Sequence, residues 1–282
     1  MTLPVSEAER LLIALDIDGT VLLEDNSFSP GVEEAVSEAV ARGHIVTLST
    51  GRSWESTHPV LSRLGLLPPY VVCANGATIM SRDEDEPSGY ARHTTETFDA
   101  TEVLSFVREH LPGASYMVEL ADGTRLFTHY MDDWDLNRPG ARHVAFDEML
   151  GIQVTRVVVV SPEHDGDEFN AFVERMGLQQ VTYAVGWSAW LDIAPQGVNK
   201  ATALEKVRAW LELDPARIVV MGDGRNDVQM LEWAREGGGE AVVMGQAPLE
   251  VQQYATQLTL SVEGGGVAAA LSKLGVATST IV

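Results

Sequence analysis

The order of apolar and polar positions predicts alternating strands and helices in the first third of the chain. Leu11–Ile17 is a short apolar run, which predicts a strand buried on both faces. Apolar residues at helical spacing follow over Pro30–Arg42 and stop before Gly43. Two more buried strands are predicted at Ile45–Ser49 and Tyr70–Ala74. This β-α-β-α-β order predicts a parallel sheet with helices on both faces.

The pattern changes after Ser81–Gly89, an acidic segment with Pro and Gly that predicts a loop. The elements predicted beyond it are a helix at about Asp99–Leu111, strands at Tyr116–Leu120, Arg125–Tyr130 and Arg156–Val160, a helix at about Asp167–Met176, and strands at Val181–Val185 and Trp190–Ile193. Helices mixed with hairpins indicate an α+β domain inserted into the sheet domain.

The parallel rhythm returns near Lys200. The elements predicted there are a helix to about Leu211, a strand at Ile218–Met221, a helix at about Asp227–Arg235, a strand at Ala241–Met244, a short helix, a strand at Gln257–Leu260 and a helix at Gly266–Leu274. We therefore predict an α/β protein whose core consists of residues 1–82 and 194–282, with an inserted α+β domain at 83–193.

Charge and composition narrow the classes of function. Of 282 residues 45% are apolar and the net charge is −22, which indicates a folded, acidic protein that repels nucleic acids and anionic membranes. Because Cys73 is the single cysteine, the chain has neither an intrachain disulfide nor a cysteine metal cluster. The first apolar run ends at Asp16 and has no basic segment before it, so we expect no signal peptide, no membrane span and a cytoplasmic location.

The first candidate site is Asp16-Ile17-Asp18-Gly19-Thr20, directly after the first strand. Open parallel sheets bind ligands at the carboxyl ends of their strands, and residues two apart point to the same side. Two neighbouring carboxylates repel each other, so a hard divalent cation with oxygen ligands suits them. An ordinary turn built on Asp-Gly is the alternative.

Three further segments lie at predicted strand ends or helix starts. Ser49-Thr50-Gly51-Arg52 offers a hydroxyl, a glycine and a guanidinium to phosphate oxygens, although a plain turn has the same composition. Lys200 opens a helix, where a cation is unfavourable unless it faces an anion; a solvated lysine is the alternative. In Gly222–Asp227, Asn226 or Asp227 could simply cap a helix, which leaves Asp223 unexplained. All four segments suit phosphate and a hard cation.

In this order the motifs resemble those of the haloacid dehalogenase superfamily of phosphatases, specifically the Cof-type branch. The matching segments are DIDGT, STGR, NGA at Asn75–Ala77, GVNK and GDGRND. The resemblance implies a Rossmann-like core with a large cap inserted between the second and third motifs. Gln246 is a departure, since asparagine is common at this position of the family.

The resemblance also implies roles for single residues. Asp16 would be the nucleophile that forms an aspartyl-phosphate, and Asp18 the general acid and then the base. Mg²⁺ would be held by Asp16, by the backbone carbonyl of Asp18 and by Asp223, with Asp227 in support. The phosphate- and substrate-binding residues would be Thr50, Gly51, Arg52, Asn75, Lys200 and Asn226.

Three functions remain open at this stage. The first is a Mg²⁺-dependent phosphomonoesterase for a small phosphorylated metabolite, with a sugar phosphate suggested by the family alone. The second is a phosphomutase or phosphotransferase on the same scaffold, which a bisphosphate requirement would reveal. The third is a non-catalytic metabolite-binding protein, which would have no need of the Asp16 and Asp18 pair.

Overall fold

A computed structural model describes residues 6, 9–131, 136–137, 139–161, 181–185 and 190–278. In chain order its strands are β1 (Leu12–Leu15), β2 (Ile45–Leu48), β3 (Tyr70–Cys73), β4 (Thr78–Arg82), β5 (Tyr90–Thr95), β6 (Phe98–Asp99), β7 (Ser115–Glu119), β8 (Arg125–Phe127), β9 (Ala141–His143), β10 (Gln153–Val154), β11 (Arg156–Val160), β12 (Val181–Val185), β13 (Trp190–Pro195), β14 (Ile218–Gly222), β15 (Glu240–Val243) and β16 (Gln257–Leu258). The α-helices are α1 (Val32–Ala41), α2 (Trp54–Arg63), α3 (Thr101–His110), α4 (Lys200–Trp210), α5 (Val228–Glu236), α6 (Leu249–Gln252) and α7 (Gly266–Lys273).

The core is a five-stranded parallel sheet in the order β16-β15-β14-β1-β2. Because successive side chains of a strand point to opposite faces, β1 contributes to two hydrophobic clusters. Ile13 and Leu15 pack with α1 and α7, whereas Leu12 and Ala14 pack with α4 and α5. The sheet therefore lies between two helical layers, which confirms the predicted α/β class, and β1 is an interior strand between β14 and β2.

A short antiparallel sheet, β3-β4-β5, extends the core. Its β3 strand meets the main sheet through a bridge between Ser49 and Val72. The predicted acidic loop forms the connection between β4 and β5, a hairpin that the hydrophobic pattern did not identify. The predicted boundary at residue 82 coincides with the end of β4, and the division into domains stays a prediction.

The inserted region contains a six-stranded sheet in the order β12-β13-β11-β7-β8-β9, antiparallel except between β8 and β9. One face packs on α3 through Leu104 and Val107. Cross-strand partners share a face, so the opposite face carries a row of charged residues: Glu119, Arg125, Arg156 and Asp192. The helix predicted at about Asp167–Met176 lies outside the described residues.

The helices are short. Within the ranges that the structure describes, no helix combines the length and the hydropathy that a membrane span requires.

Candidate active site

Asp16 leaves β1 at the carboxyl edge of the core sheet, beside the end of β14. Its backbone N–H donates to the carbonyl oxygen of Met221 at 3.0 Å, which continues the parallel pairing of these strands by one residue. The chain then turns at Gly19, where φ is +72°. A Cβ atom at Gly19 would lie 2.2 Å from a carboxylate oxygen of Asp223, so glycine permits this close approach. The first and fourth motifs thus meet at one sheet edge, as predicted.

Lys200 is fully buried between two carboxylates. Its Nζ donates to Oδ1 of Asp16 and to Oδ1 of Asp227, each at 2.6 Å. The helix start fixes this position, because Oδ1 of Asn199 accepts from the Thr202 N–H at 3.0 Å and caps α4. Burial lowers the pKa of Lys200, but attraction by the two carboxylates outweighs it and the net pKa is raised. Lys200 is therefore a buried cation that contacts two carboxylates, and the solvated-lysine alternative is wrong.

Asp227 organises the loop that carries Asp223. Its Oδ2 accepts from the backbone N–H groups of Asp223 and Gly224, at 3.0 and 2.9 Å. Its side chain makes no capping hydrogen bond to α5, so simple helix capping does not explain it. A Cβ atom at Gly222 would lie 2.4 Å from the Asp227 carboxylate carbon, so this loop needs a residue without one.

Three carboxylates form a compact group at this edge. Asp16, Asp223 and Asp227 each offer one oxygen, and these atoms lie within 4.8 Å of one another. Burial and repulsion by Asp227 raise the pKa of Asp16 well above its usual range and that of Asp223 to about 7. An oxygen-only donor set with excess negative charge fits a hard divalent cation. Asp18 contributes no carboxylate to this group, and the role of its backbone carbonyl as a ligand stays a prediction.

The carboxylate of Asp18 faces Arg52. The guanidinium donates from Nε to Oδ2 at 2.9 Å and from Nη2 to Oδ1. This bidentate ion pair joins the first and second motifs. Nη2 also reaches Oδ1 of Asn26 at 3.1 Å. The side chain of Asp18 is 62% exposed, far more than Asp16. The two aspartates therefore occupy different environments, one buried beside Lys200 and one largely exposed beside Arg52.

The second motif is tied to Asn75 and Asn226. The Asn75 N–H donates to the Thr50 carbonyl at 2.9 Å, and the Thr50 hydroxyl accepts from the Arg52 N–H at 3.1 Å. A Cβ atom at Gly51 would lie 3.2 Å from the Asn75 amide. Nδ2 of Asn226 donates to Oδ1 of Asn75 at 3.1 Å. The structure therefore brings every predicted site residue to one edge, while their individual roles stay predictions.

Sequence reasoning missed the residues of the inserted sheet that meet this edge. Nδ2 of Asn75 donates to Oδ2 of Asp192 at 2.9 Å. Arg156 donates to the carbonyl of Gly51, and Nη2 of Arg125 donates to the Ser53 hydroxyl at 2.5 Å. The sequence offered one sign of these residues, which is a charged residue inside an otherwise apolar strand, such as Asp192 within WLDIAP.

Gln246 also touches the site. Its Nε2 donates to the Gly19 carbonyl at 2.6 Å and to Oδ2 of Asp223 at 3.1 Å, so this departure from the family pattern directly contacts the loop that carries Asp223.

A small cavity lies between the inserted sheet and the core sheet edge, beside the contact of Asn75 with Asp192. The residues that line it include Asn75, Thr182, Asp192, Val198, Lys200 and Asn226. It therefore extends from the lysine that holds Asp16 to a carboxylate of the inserted sheet.

Comparisons with known proteins agree with this arrangement. Residues 13–271 match the sequence profile of the haloacid dehalogenase-like hydrolases. The chain is 29% identical over 269 residues to the 5-amino-6-(5-phospho-D-ribitylamino)uracil phosphatase of Bacillus subtilis, covering 93% of this chain and 96% of that protein. It is 27% identical over 256 residues to the pyridoxal phosphate phosphatase of Escherichia coli, covering 84% of this chain and 88% of that protein.

Solved structures share the fold. A phosphatase of the haloalkanoate enzyme superfamily from Bacteroides thetaiotaomicron superposes with a TM-score of 0.73 at 21% identity, covering 98% of each chain.

Proposed function

The chain is a phosphatase that belongs to the haloacid dehalogenase-like hydrolases, and we propose that it is a Mg²⁺-dependent phosphomonoesterase using Asp16 as nucleophile. The substrate in this proposal is a small phosphorylated metabolite, and the family resemblance favours a sugar phosphate. The observation that carries the proposal is the buried Lys200 ammonium, 2.6 Å from Asp16, at the edge of a three-carboxylate group.

Charge balance explains why these residues belong together. A carboxylate that attacks a phosphate dianion is repelled by two negative charges. The repulsion between the carboxylate and each of these charges costs about 4 kcal/mol at ~4 Å with an effective dielectric near 20. Lys200 offsets part of this repulsion, and its ammonium opposes the rise that burial causes in the pKa of Asp16. A bound Mg²⁺ would supply further positive charge to the phosphoryl oxygens, and Asp16, Asp223 and Asp227 offer its oxygen donors.

The first step transfers the phosphoryl group to the protein. Lys200 holds Oδ1 of Asp16, and Oδ2 attacks phosphorus in line with the ester oxygen. The bond from phosphorus to the ester oxygen breaks as Asp18, in its protonated form, donates that proton to the leaving alkoxide. Thr50, Asn226 and the Lys200 ammonium surround the phosphoryl group in this proposal.

The second step restores Asp16. Asp18, now ionised, takes a proton from water, and the water oxygen attacks phosphorus. The bond from phosphorus to Asp16 breaks, which releases inorganic phosphate and returns the Asp16 carboxylate to Lys200.

The test is phosphate release from a panel of hexose, pentose, triose, nucleotide and cofactor phosphates. We expect release with Mg²⁺, its loss with chelator, and its loss in Asp16→Asn. Asp147→Asn, a change at an exposed residue of the inserted region, is the matched control. Full activity in Asp16→Asn would refute the nucleophile assignment.

Two other results would redirect the assignment. Isomerisation that needs a bisphosphate activator, without net phosphate release, would replace the hydrolase with a mutase. Binding of phosphate analogues by folded, Mg²⁺-loaded protein without turnover of any ester would replace it with a binding protein.

A further inference from the structure

Gln246 lies in the turn that follows β15, beside the loop that carries Asp223. The Met244 N–H donates to the carbonyl of Gly222 at 3.1 Å, so the ends of β15 and β14 lie next to each other. The Ala247 N–H donates to the Met244 carbonyl at 3.1 Å, which closes the turn. Gln246 therefore belongs to a turn that the edge of the core sheet itself positions.

The side-chain amide of Gln246 makes three hydrogen bonds. Its Oε1 accepts from the Val262 N–H at 3.0 Å. Since a backbone N–H can only donate, this bond identifies the amide oxygen and leaves Nε2 towards the site. Nε2, which carries two hydrogens, donates to the Gly19 carbonyl at 2.6 Å and to Oδ2 of Asp223 at 3.1 Å. The side chain is exposed, yet contacts with three separate loops fix its orientation.

The two oxygens of Asp223 differ as a result. Oδ2 accepts from Gln246, whereas none of the hydrogen bonds among the described residues uses Oδ1. Asp223 also belongs to the group of three carboxylates that fits a hard cation. A cation at this group would therefore meet one oxygen of Asp223 that is free and one that already accepts from an N–H group.

Resting on the proposed Mg²⁺-dependent function, we propose that Gln246 is a positioning residue that makes the cation site select Mg²⁺ over Ca²⁺. It holds Oδ2, so that Asp223 binds the cation through Oδ1 alone. Mg²⁺ is small and demands near-octahedral geometry, which single oxygens from separate carboxylates can supply. Ca²⁺ is larger and accepts more oxygens, including both oxygens of one carboxylate. The bond from Gln246 therefore removes a ligand from Ca²⁺ and none from Mg²⁺.

The bond from Gln246 to Gly19 acts in the same direction. It anchors the turn after Asp18, whose backbone carbonyl is predicted to be a ligand. Gly19 lies so close to Asp223 that a Cβ atom on it would be 2.2 Å from Oδ2. Gln246 bridges these two groups and so fixes the separation of the first and fourth motifs. A fixed separation suits the strict geometry of Mg²⁺ better than the adaptable geometry of Ca²⁺.

The experiment measures cation binding to the whole protein without substrate. The unfolding temperature is recorded over a series of concentrations of Mg²⁺ alone or Ca²⁺ alone, and its rise gives a Kd for each ion. Because the chain has a net charge of −22, the same series on Asp223→Asn reports binding elsewhere on the surface. The wild-type Kd for Mg²⁺ should be smaller than that for Ca²⁺.

The Gln246→Met variant keeps an unbranched side chain and removes the amide. Since Gln246 is exposed, the replacement leaves no buried gap. The Kd for Mg²⁺ should rise by about 10- to 100-fold, as expected when a group that orients a metal ligand is lost. The Kd for Ca²⁺ should rise less, because both oxygens of Asp223 become available to it. The ratio of the Kd for Ca²⁺ to the Kd for Mg²⁺ should therefore fall by about tenfold.

Gln253→Met is the matched control. Gln253 is also exposed, and its Nε2 donates to the carbonyl of Glu250 at 2.8 Å, outside the carboxylate group. This variant should keep the wild-type Kd for both ions. A role of Gln246 in stability alone would lower the unfolding temperature in chelator and leave the ratio of the two Kd values unchanged. That result would overturn the proposal.

The outcomes distinguish this inference from the function on which it rests. Equal Kd values for the two ions in wild type, with Mg²⁺-dependent phosphate release intact, overturn the role of Gln246 alone. An unchanged ratio in Gln246→Met overturns that role as well. A wild-type protein that Mg²⁺ does not stabilise and that releases no phosphate from any ester overturns both proposals.

Discussion

Lys200 and Asp16 are separated by 184 positions in the chain, yet Nζ of Lys200 lies 2.6 Å from Oδ1 of Asp16. The same Nζ lies 2.6 Å from Oδ1 of Asp227, so one buried ammonium holds the ends of β1 and of the β14–α5 loop together. This ion pair links the stability of the core to the chemistry proposed for its edge.

Replacement of Lys200 by methionine should therefore damage both stability and turnover. Breaking a buried ion pair leaves uncompensated charge, and the expected loss is about 3–5 kcal/mol in the free energy of unfolding. Lys206→Met is the matched control on the same helix, because Lys206 is 43% exposed and pairs with Glu96 at the surface. Its expected effect is below about 1 kcal/mol. Denaturant unfolding measures the stability of each variant, and phosphate release measures its turnover. Equal stability of the two variants would contradict the role of Lys200.

The carboxylate group should make the protein respond to Mg²⁺ before any substrate is added. A ligand that binds the folded state alone raises the unfolding temperature with concentration. We expect a higher Tm in Mg²⁺ than in chelator for wild type and for the control Asp147→Asn. Asp223→Asn should lose most of this difference, because one of three converging oxygens loses its charge. A full Mg²⁺ response in Asp223→Asn would place the cation elsewhere.

Arg52 should act through Asp18. Because Arg52 holds both oxygens of Asp18, its loss should misplace the proton donor for the leaving group. Arg52→Gln should lower kcat/KM by about 10- to 100-fold for alkyl phosphates, whose alkoxides need a proton, and by less for p-nitrophenyl phosphate. Arg52→Lys should restore part of the difference. The control is Arg82→Gln, at an exposed ion pair, and an equal loss on both esters would indicate that Arg52 does not position the acid.

Glu38 should make the stability of the folded protein depend on pH in the acidic range. Hydrogen bonds from the backbone and side chain of Thr278 lower the pKa of Glu38 to about 2. Because the pKa of Glu38 is lower in the folded protein than in the unfolded chain, ionised Glu38 stabilises the folded protein above the unfolded-state pKa, near 4.5. This stabilisation is lost as the pH falls towards 2. The Tm difference between wild type and Glu38→Gln should therefore shrink between pH 6 and pH 3. Glu34→Gln on the same helix is the control, and a difference constant over this range would contradict the prediction.

Cys73 should report unfolding. Burial raises the pKa of its thiol to about 12, so the reactive thiolate is scarce in the folded protein at pH 8. An aromatic disulfide reagent should leave native protein unmodified and should label one thiol per chain in guanidinium. Rapid labelling of native protein at pH 8 would contradict the buried position.

The hydrophobic pattern predicted the sheet core well, for a local reason. The runs that became β1, β2, β14 and β15 are apolar on both faces because helices cover both faces, and that requirement is visible within a few residues of chain. The β4–β5 hairpin was missed because its strands, TIMSR and YARHTT, mix apolar residues with polar and charged ones, so neither shows an apolar run or a regular alternation.

The candidate site followed from the same local pattern and one general rule. Motifs directly after buried parallel strands must meet, since all the strands end at one edge of the sheet. That rule brought Asp16, Thr50 and Asp223 together in the prediction, and the structure places them at that edge. It carried no information on which side chain contacts which.

By itself, the sequence determined the parallel α/β core, the inserted α+β region and the group of carboxylates, lysine and amides at one edge, because each depends on periodicity or on position relative to a strand. The tertiary structure alone decided that Lys200 bridges Asp16 and Asp227, that Arg52 holds Asp18, and that Asp192 accepts a hydrogen bond from Asn75 at the site. These contacts join segments distant in the chain. They arise when packing of the two sheets fixes relative positions that no local pattern encodes.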